Sequence, residues 1–81
     1  LRNSGFSLTM AKVLAKRCKD GETPVGRSIR RMYGLLFQRE PSREELHLAK
    51  RFLAEPSDGE VEPLTQFALA LINLNEFLFV D

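Results

Sequence analysis

At 81 residues, the chain has material for one small domain and little more. A chain of this size buries only about 60% of the surface it exposes when unfolded, which leaves no room for a core plus an enclosed active-site cavity. With 43% hydrophobic and 28% charged residues and a net charge of +1, it reads as globular rather than disordered. No apolar run approaches the ~20 residues that span a bilayer.

The charge is unevenly divided. Residues 1–39 hold nine basic and two acidic side chains, a net of +7, whereas residues 40–81 hold three basic and nine acidic ones, a net of −6. In a single small domain this division suggests two halves that neutralise one another on packing. The single Cys18 rules out an internal disulfide. At the end of an amphipathic helical pattern it reads as a small packed thiol.

In chain order, the first predicted helix runs from about Ser7 to Lys19. Phe6, Met10, Val13, Leu14 and Cys18 recur at helical spacing, and the cations of the last turn suit the negative end of the helix dipole. Asp20 and Gly21 stop it. In the second helix Thr23 reads as the N-cap and Pro24 as the first helical residue. Val25, Ile29, Met32, Tyr33 and Leu36 form its apolar stripe, and Pro41 forces an end near Phe37 or Gln38. Ser42-Arg43-Glu44-Glu45 is a capping box that opens the third helix. Leu46, Ala49 and Leu53 point inward from it, Leu48 and Phe52 flank them, and the helix ends before Pro56. Residues 55–60 read as an acidic surface loop. Pro63 opens a fourth helix that is apolar around most of its circumference, as expected of a central element. It weakens at Asn73 and Asn75 and is followed by a short apolar tail, Phe77-Leu78-Phe79-Val80. The expected fold is therefore all-α, a small bundle of about four helices over residues 1–81 with that tail folded back on it. At least one Phe should fill a groove near Met32 or Tyr33, with Glu76 beside Arg30 or Arg31. The competing reading makes the tail a docking hook for a partner.

Side chains able to do chemistry are scattered. The one His and the one Cys stand apart from other metal-ligand types, Glu44 and Glu45 point in different directions on a helix, and no Gly-rich phosphate loop follows a strand. The expectation is no catalytic residue, no metal site and no cofactor, hence no enzyme. Arg27, Arg30, Arg31, Arg39 and Arg43 around the turn between helices two and three raise a helix–turn–helix alternative. The would-be recognition helix begins Arg43-Glu44-Glu45, however, and would bring two carboxylates against phosphates.

Two stretches carry a resemblance. Residues 33–46, from Tyr33 through Arg39, Pro41, Ser42 and Glu45 to Leu46, look like a Tyr-x-x-x-Leu-Gly-Arg-x-Pro-[Thr/Ser]-x-x-Glu-Leu element. Residues 71–81, with Asn75-Glu76-Phe77 and Phe79, resemble a Leu-Leu-Asn-Ser-Asn-Glu-Phe-[Leu/Val]-Tyr-[Val/Ile]-Asp ending. With Leu1, Asn3, Ser4 and Phe6, they are similar to the C-terminal segment of a planctomycete-specific domain of unknown function. That domain closes large proteins which usually also carry a cytochrome-type domain upstream. The resemblance implies the C-terminal piece of a larger protein exported to the periplasm or cell envelope, with upstream domains of the same parent as partners. The start at Leu1, without an initiator Met, fits that expectation. Lacking Cys-x-x-Cys-His, this segment is not expected to bind haem itself. Gln38 departs from the pattern, standing where a left-handed Gly is expected.

The roles expected of the matched residues are structural. Tyr33 should bury its ring, with the hydroxyl on a polar partner. Arg39 should meet the free carbonyls of the second helix or the carboxylate of Glu44 or Glu45, and Asn75 should terminate the fourth helix in left-handed geometry. The leading functional reading is a non-enzymatic interaction or assembly module. Behind it stand a contribution of one wall to an enzyme or carbohydrate site formed with upstream domains, and then nucleic-acid binding.

Overall fold

Four punctuation points, two prolines, a capping serine and a left-handed glutamine, set most of the helix boundaries. The computed structural model describes residues 4–19, 24–55, 59 and 61–78, with side chains for 7–19, 24–55, 59 and 61–74. It is a four-helix bundle: α1 Ser4–Cys18, α2 Val25–Phe37, α3 Arg43–Ala54 and α4 Pro63–Leu78. α2 and α4 form the central pair. α1 packs mainly on α4 and also on α2, α3 packs on the same two helices from the other side, and among the described residues α1 and α3 do not meet. No helix of the described residues is long and apolar enough to cross a membrane.

The core is built from Ile29, Met32 and Tyr33 of α2 and Leu64, Phe67, Ala68, Leu71 and Ile72 of α4, with Ala49 of α3 and Ala11, Ala15 and Cys18 of α1. α4 carries the broadest buried surface, as expected of an all-round apolar helix. The buried face of α1 corrects the sequence reading. Met10 and Val13 are 45% and 51% exposed, and the helix turns inward Ser7, Ala11, Ala15 and Cys18. Small side chains at this spacing let two helix backbones approach closely, and interaxial distance follows the size of the contact residues. Size-weighted periodicity favours the large residues, whereas close contact with α4 selects the small ones.

Several boundaries also shift. α1 begins at Ser4 and ends at Cys18, where the amide of Lys19 still reaches the carbonyl of Ala15 at 3.0 Å. Asp20, Gly21 and Thr23 lie outside the described residues, as does most of the acidic loop 55–60. Pro24 is the cap of α2 and not its first residue: its ψ of 144° is extended, and its carbonyl accepts from Arg27 N at 3.0 Å and Ser28 N at 3.3 Å. α4 does not terminate at Asn75 but continues to Leu78, so Phe77 and Leu78 belong to the helix backbone. Asn is a modest helix former, and one or two such residues do not stop a helix whose apolar run continues beyond them.

Candidate functional site

The residues singled out on helices two and three converge at the α2–α3 turn. α2 ends at Phe37 and the chain reverses through Gln38, which sits at φ 53° and ψ 39°. It is the one non-glycine residue at positive φ among the described residues. Its amide donates to Gly34 O at 3.2 Å, and its side-chain Nε2 donates to Leu35 O at 3.2 Å. Residue 38 therefore adopts the left-handed conformation without being a glycine. The side-chain hydrogen bond helps offset the Cβ penalty of about 1–2 kcal/mol.

That reversal delivers Arg39 onto the start of α3. Its Nη1 and Nη2 donate to Oε1 and Oε2 of Glu45 at 2.8 and 2.9 Å, a bidentate pair, and Nη1 also donates to Glu40 O at 3.0 Å. The guanidinium carbon lies 5.5 Å from the Tyr33 ring centroid and 5.6 Å from that of Phe37, and the two rings are themselves 5.3 Å apart. A charged plane on two aromatic faces is favourable both as a cation–π contact and as packing.

Glu45 does double duty. As the third residue of α3 it completes the capping box: its amide donates to Ser42 Oγ at 3.0 Å, and its Oε1 accepts from Ser42 N at 2.8 Å. The Arg39 hydrogen bonds first, then the Ser42 amide, hold its carboxyl down at about 2. Tyr33 is 5% exposed, and burial foremost, then the negative charge of Glu45, raise its phenol above the ordinary value. The hydroxyl partner expected for Tyr33 is not found among the described residues. Pro41, which lies between Arg39 and Ser42 in the chain, is half-buried. Asn75, Glu76, Phe77 and Phe79 lie outside the residues whose side chains are described, and so does the proposed seating of the tail.

The charge division is realised in the ion pairs. Arg39–Glu45 at 2.8 Å, Arg30–Glu40 at 3.7 Å and Lys19–Glu62 at 3.7 Å each join a cation from residues 1–39 to a carboxylate from 40–81. Arg31 donates from Nη1 to Cys18 O at 3.4 Å, at the end of α1. Cys18 is fully buried, and that burial pushes its thiol up despite the positive charge of Arg31 and Arg17. Among the described residues no three His, Cys, Asp or Glu side chains cluster as a metal site would need.

Sequence reasoning missed an open groove. At the end of the bundle away from the α2–α3 turn, an open groove of about 640 Å³ lies between α1 and the start of α4, lined by Lys12, Ala15, Lys16, Lys19, Val61, Glu62 and Thr65. A second cleft of about 230 Å³ includes Val25, Ser28, Leu53 and Leu64, and shares Lys19 and Glu62 with the first. The signal lies in the spacing of Lys12, Lys16 and Lys19, of which the sequence reading used only the cations of the last turn.

No protein-family model, curated protein or solved structure matches this chain.

Proposed function

We propose that this chain is a non-enzymatic helical interaction or assembly module, closing a larger exported protein of the planctomycete type and docking on upstream domains of the same parent. The observation that carries the reading is the mutual engagement of Tyr33, Arg39, Ser42 and Glu45. Arg39, Ser42 and Glu45 direct their hydrogen bonds at one another, and the Tyr33 ring stacks under Arg39, which ties the end of α2 to the start of α3. A carboxylate held at about 2 by a bidentate arginine is a poor general base near neutral pH. The buried, pKa-raised Cys18 is equally a poor nucleophile.

A docking face is supported by Leu48 and Phe52, one turn apart on α3 and 61% and 41% exposed. Arg31 donates to the Cys18 carbonyl at 3.4 Å and so turns toward the end of α1, which weighs against a continuous phosphate-binding row along α2. Sedimentation velocity of this chain mixed with the segment preceding it in the parent tests the proposal. A complex that forms with the wild-type chain and is lost with Leu48→Asp supports docking. Turnover of a polysaccharide that requires both pieces would favour the one-wall alternative instead.

A further inference from the structure

We propose that the groove between α1 and the start of α4 binds a short linear anion bearing two or more tetrahedral oxyanions, phosphate or sulfate. Lys12, Lys16 and Lys19 stand at i, i+4 and i+7, so they share one face of α1 and span about 10 Å along its axis. All three line the groove. Lys12 and Lys16 have no ion-pair partner among the described residues. Among the described residues Lys19 has a 3.7 Å contact to Glu62 in which both side chains are half exposed, so it is readily redirected to a ligand.

Two further features face the same space. Thr65 lines the groove although it is 6% exposed, and its hydroxyl has no hydrogen-bond partner among the described residues. A buried hydroxyl ordinarily finds a partner, so one left open at the wall of a groove points to a polar occupant. The groove also abuts the positive end of α4. The first backbone bond there runs from Gln66 N to Glu62 O at 3.0 Å, so the amides of Leu64 and Thr65 have no acceptor within the helix. Three ammonium groups, one hydroxyl and a helix N-terminus converge, and among the described lining residues Glu62 is the one opposing charge. The length of the lysine row exceeds what one phosphate can bridge, which selects a ligand with repeated charges.

Titration of the 81-residue chain with tripolyphosphate, followed by amide chemical shifts at constant ionic strength, tests this. The expected result is saturable shifts at Lys12, Lys16, Lys19, Leu64 and Thr65, with weaker binding of inorganic phosphate or sulfate. A disulfated disaccharide run in parallel decides between phosphate and sulfate sources. Lys12→Gln and Lys16→Gln should each weaken binding about two- to fivefold, and Thr65→Val about threefold or more. Glu62→Gln should tighten it, an outcome that generic attraction to a basic surface further along α1 and α2 would not single out. All four variants should keep wild-type helicity, because the substituted groups are exposed or replaced by an isostere. Linear, unsaturated shifts spread over Arg27, Arg30 and Arg43, no response to either anion, or indifference to Glu62→Gln would overturn the proposal.

Discussion

Arg39 and Ser42 meet on a single oxygen: Oε1 of Glu45 accepts from Arg39 Nη1 and from the Ser42 amide, both at 2.8 Å. The turn between α2 and α3 and the first turn of α3 are thereby tied to one atom, and neither can be disturbed alone.

Acid should reveal this node. The Glu45 carboxyl titrates at about 2 in the fold against 4.5 ordinarily, so the stability it contributes is fully present above pH 4.5. As pH falls toward 2 the folded state must take up a proton that the unfolded state already holds, and the contribution is lost. Melting temperatures should therefore drop through this window in the wild-type chain. The drop should be shallower in Glu45→Gln, which starts from a lower plateau.

The double engagement of Glu45, by its cap and by Arg39, also predicts non-additivity. Ser42→Ala should cost about 0.5–2 kcal/mol through loss of the cap. In a double-mutant cycle with Arg39→Met, the combined loss should be smaller than the sum of the single losses, because each variant already loosens Glu45. Urea denaturation of the four proteins measures it, and strict additivity would show that the cap and the ion pair act independently.

Gln38 offers a gain. Replacing it with Gly removes the left-handed Cβ penalty but also the side-chain bond to Leu35 O, for a net stabilisation of up to about 1 kcal/mol. Gln38→Val, β-branched at positive φ, should instead destabilise by more than 1 kcal/mol. Denaturation midpoints in the order Gly, Gln, Val would bear this out.

The small-residue face of α1 should be intolerant of size. Ala11 is fully buried, and Ala11→Leu would push α1 away from α4 at a cost of about 1–3 kcal/mol. Met10→Ser and Val13→Ser, on half-exposed positions, should stay within about 0.5 kcal/mol of wild type. The reverse ranking in thermal melts would restore the large-residue face that the spacing suggested.

Cys18 should resist alkylation in the native chain at neutral pH, since it is buried and its thiol is held above the ordinary range. Mass spectrometry after iodoacetamide treatment should find modification only once denaturant opens α1.

These expectations also mark what was legible beforehand. The capping box was readable because its chemistry is local: Ser42 and Glu45 lie three residues apart, and the bonds between them need no tertiary information. The left-handed position at residue 38 was expected only from the glycine of the pattern that residues 33–46 resemble, since Gln38 itself carries no such local signal. The inward face of α1 was not legible, because alanines carry little periodic signal, and only the proximity of α4 decides that Ala11 and Ala15 outrank Met10 and Val13. The lysine groove escaped for a related reason. Its second wall, Val61, Glu62 and Thr65, is supplied by the start of α4 and the residues just before it, more than forty residues away in the chain.

The most extensive helix–helix contact joins α1 to α4, the first helix to the last. This has a kinetic consequence. The α2–α3 hairpin closes a short loop and can form early, whereas docking α1 on α4 must close nearly the whole chain before any of its contacts are rewarded. Folding should then condense around residues 25–54, and α1 should add in a late step. Substitutions at Ala11 or Ala15 would therefore appear chiefly as faster unfolding, while substitutions at Ser42 or Glu45 would slow folding itself.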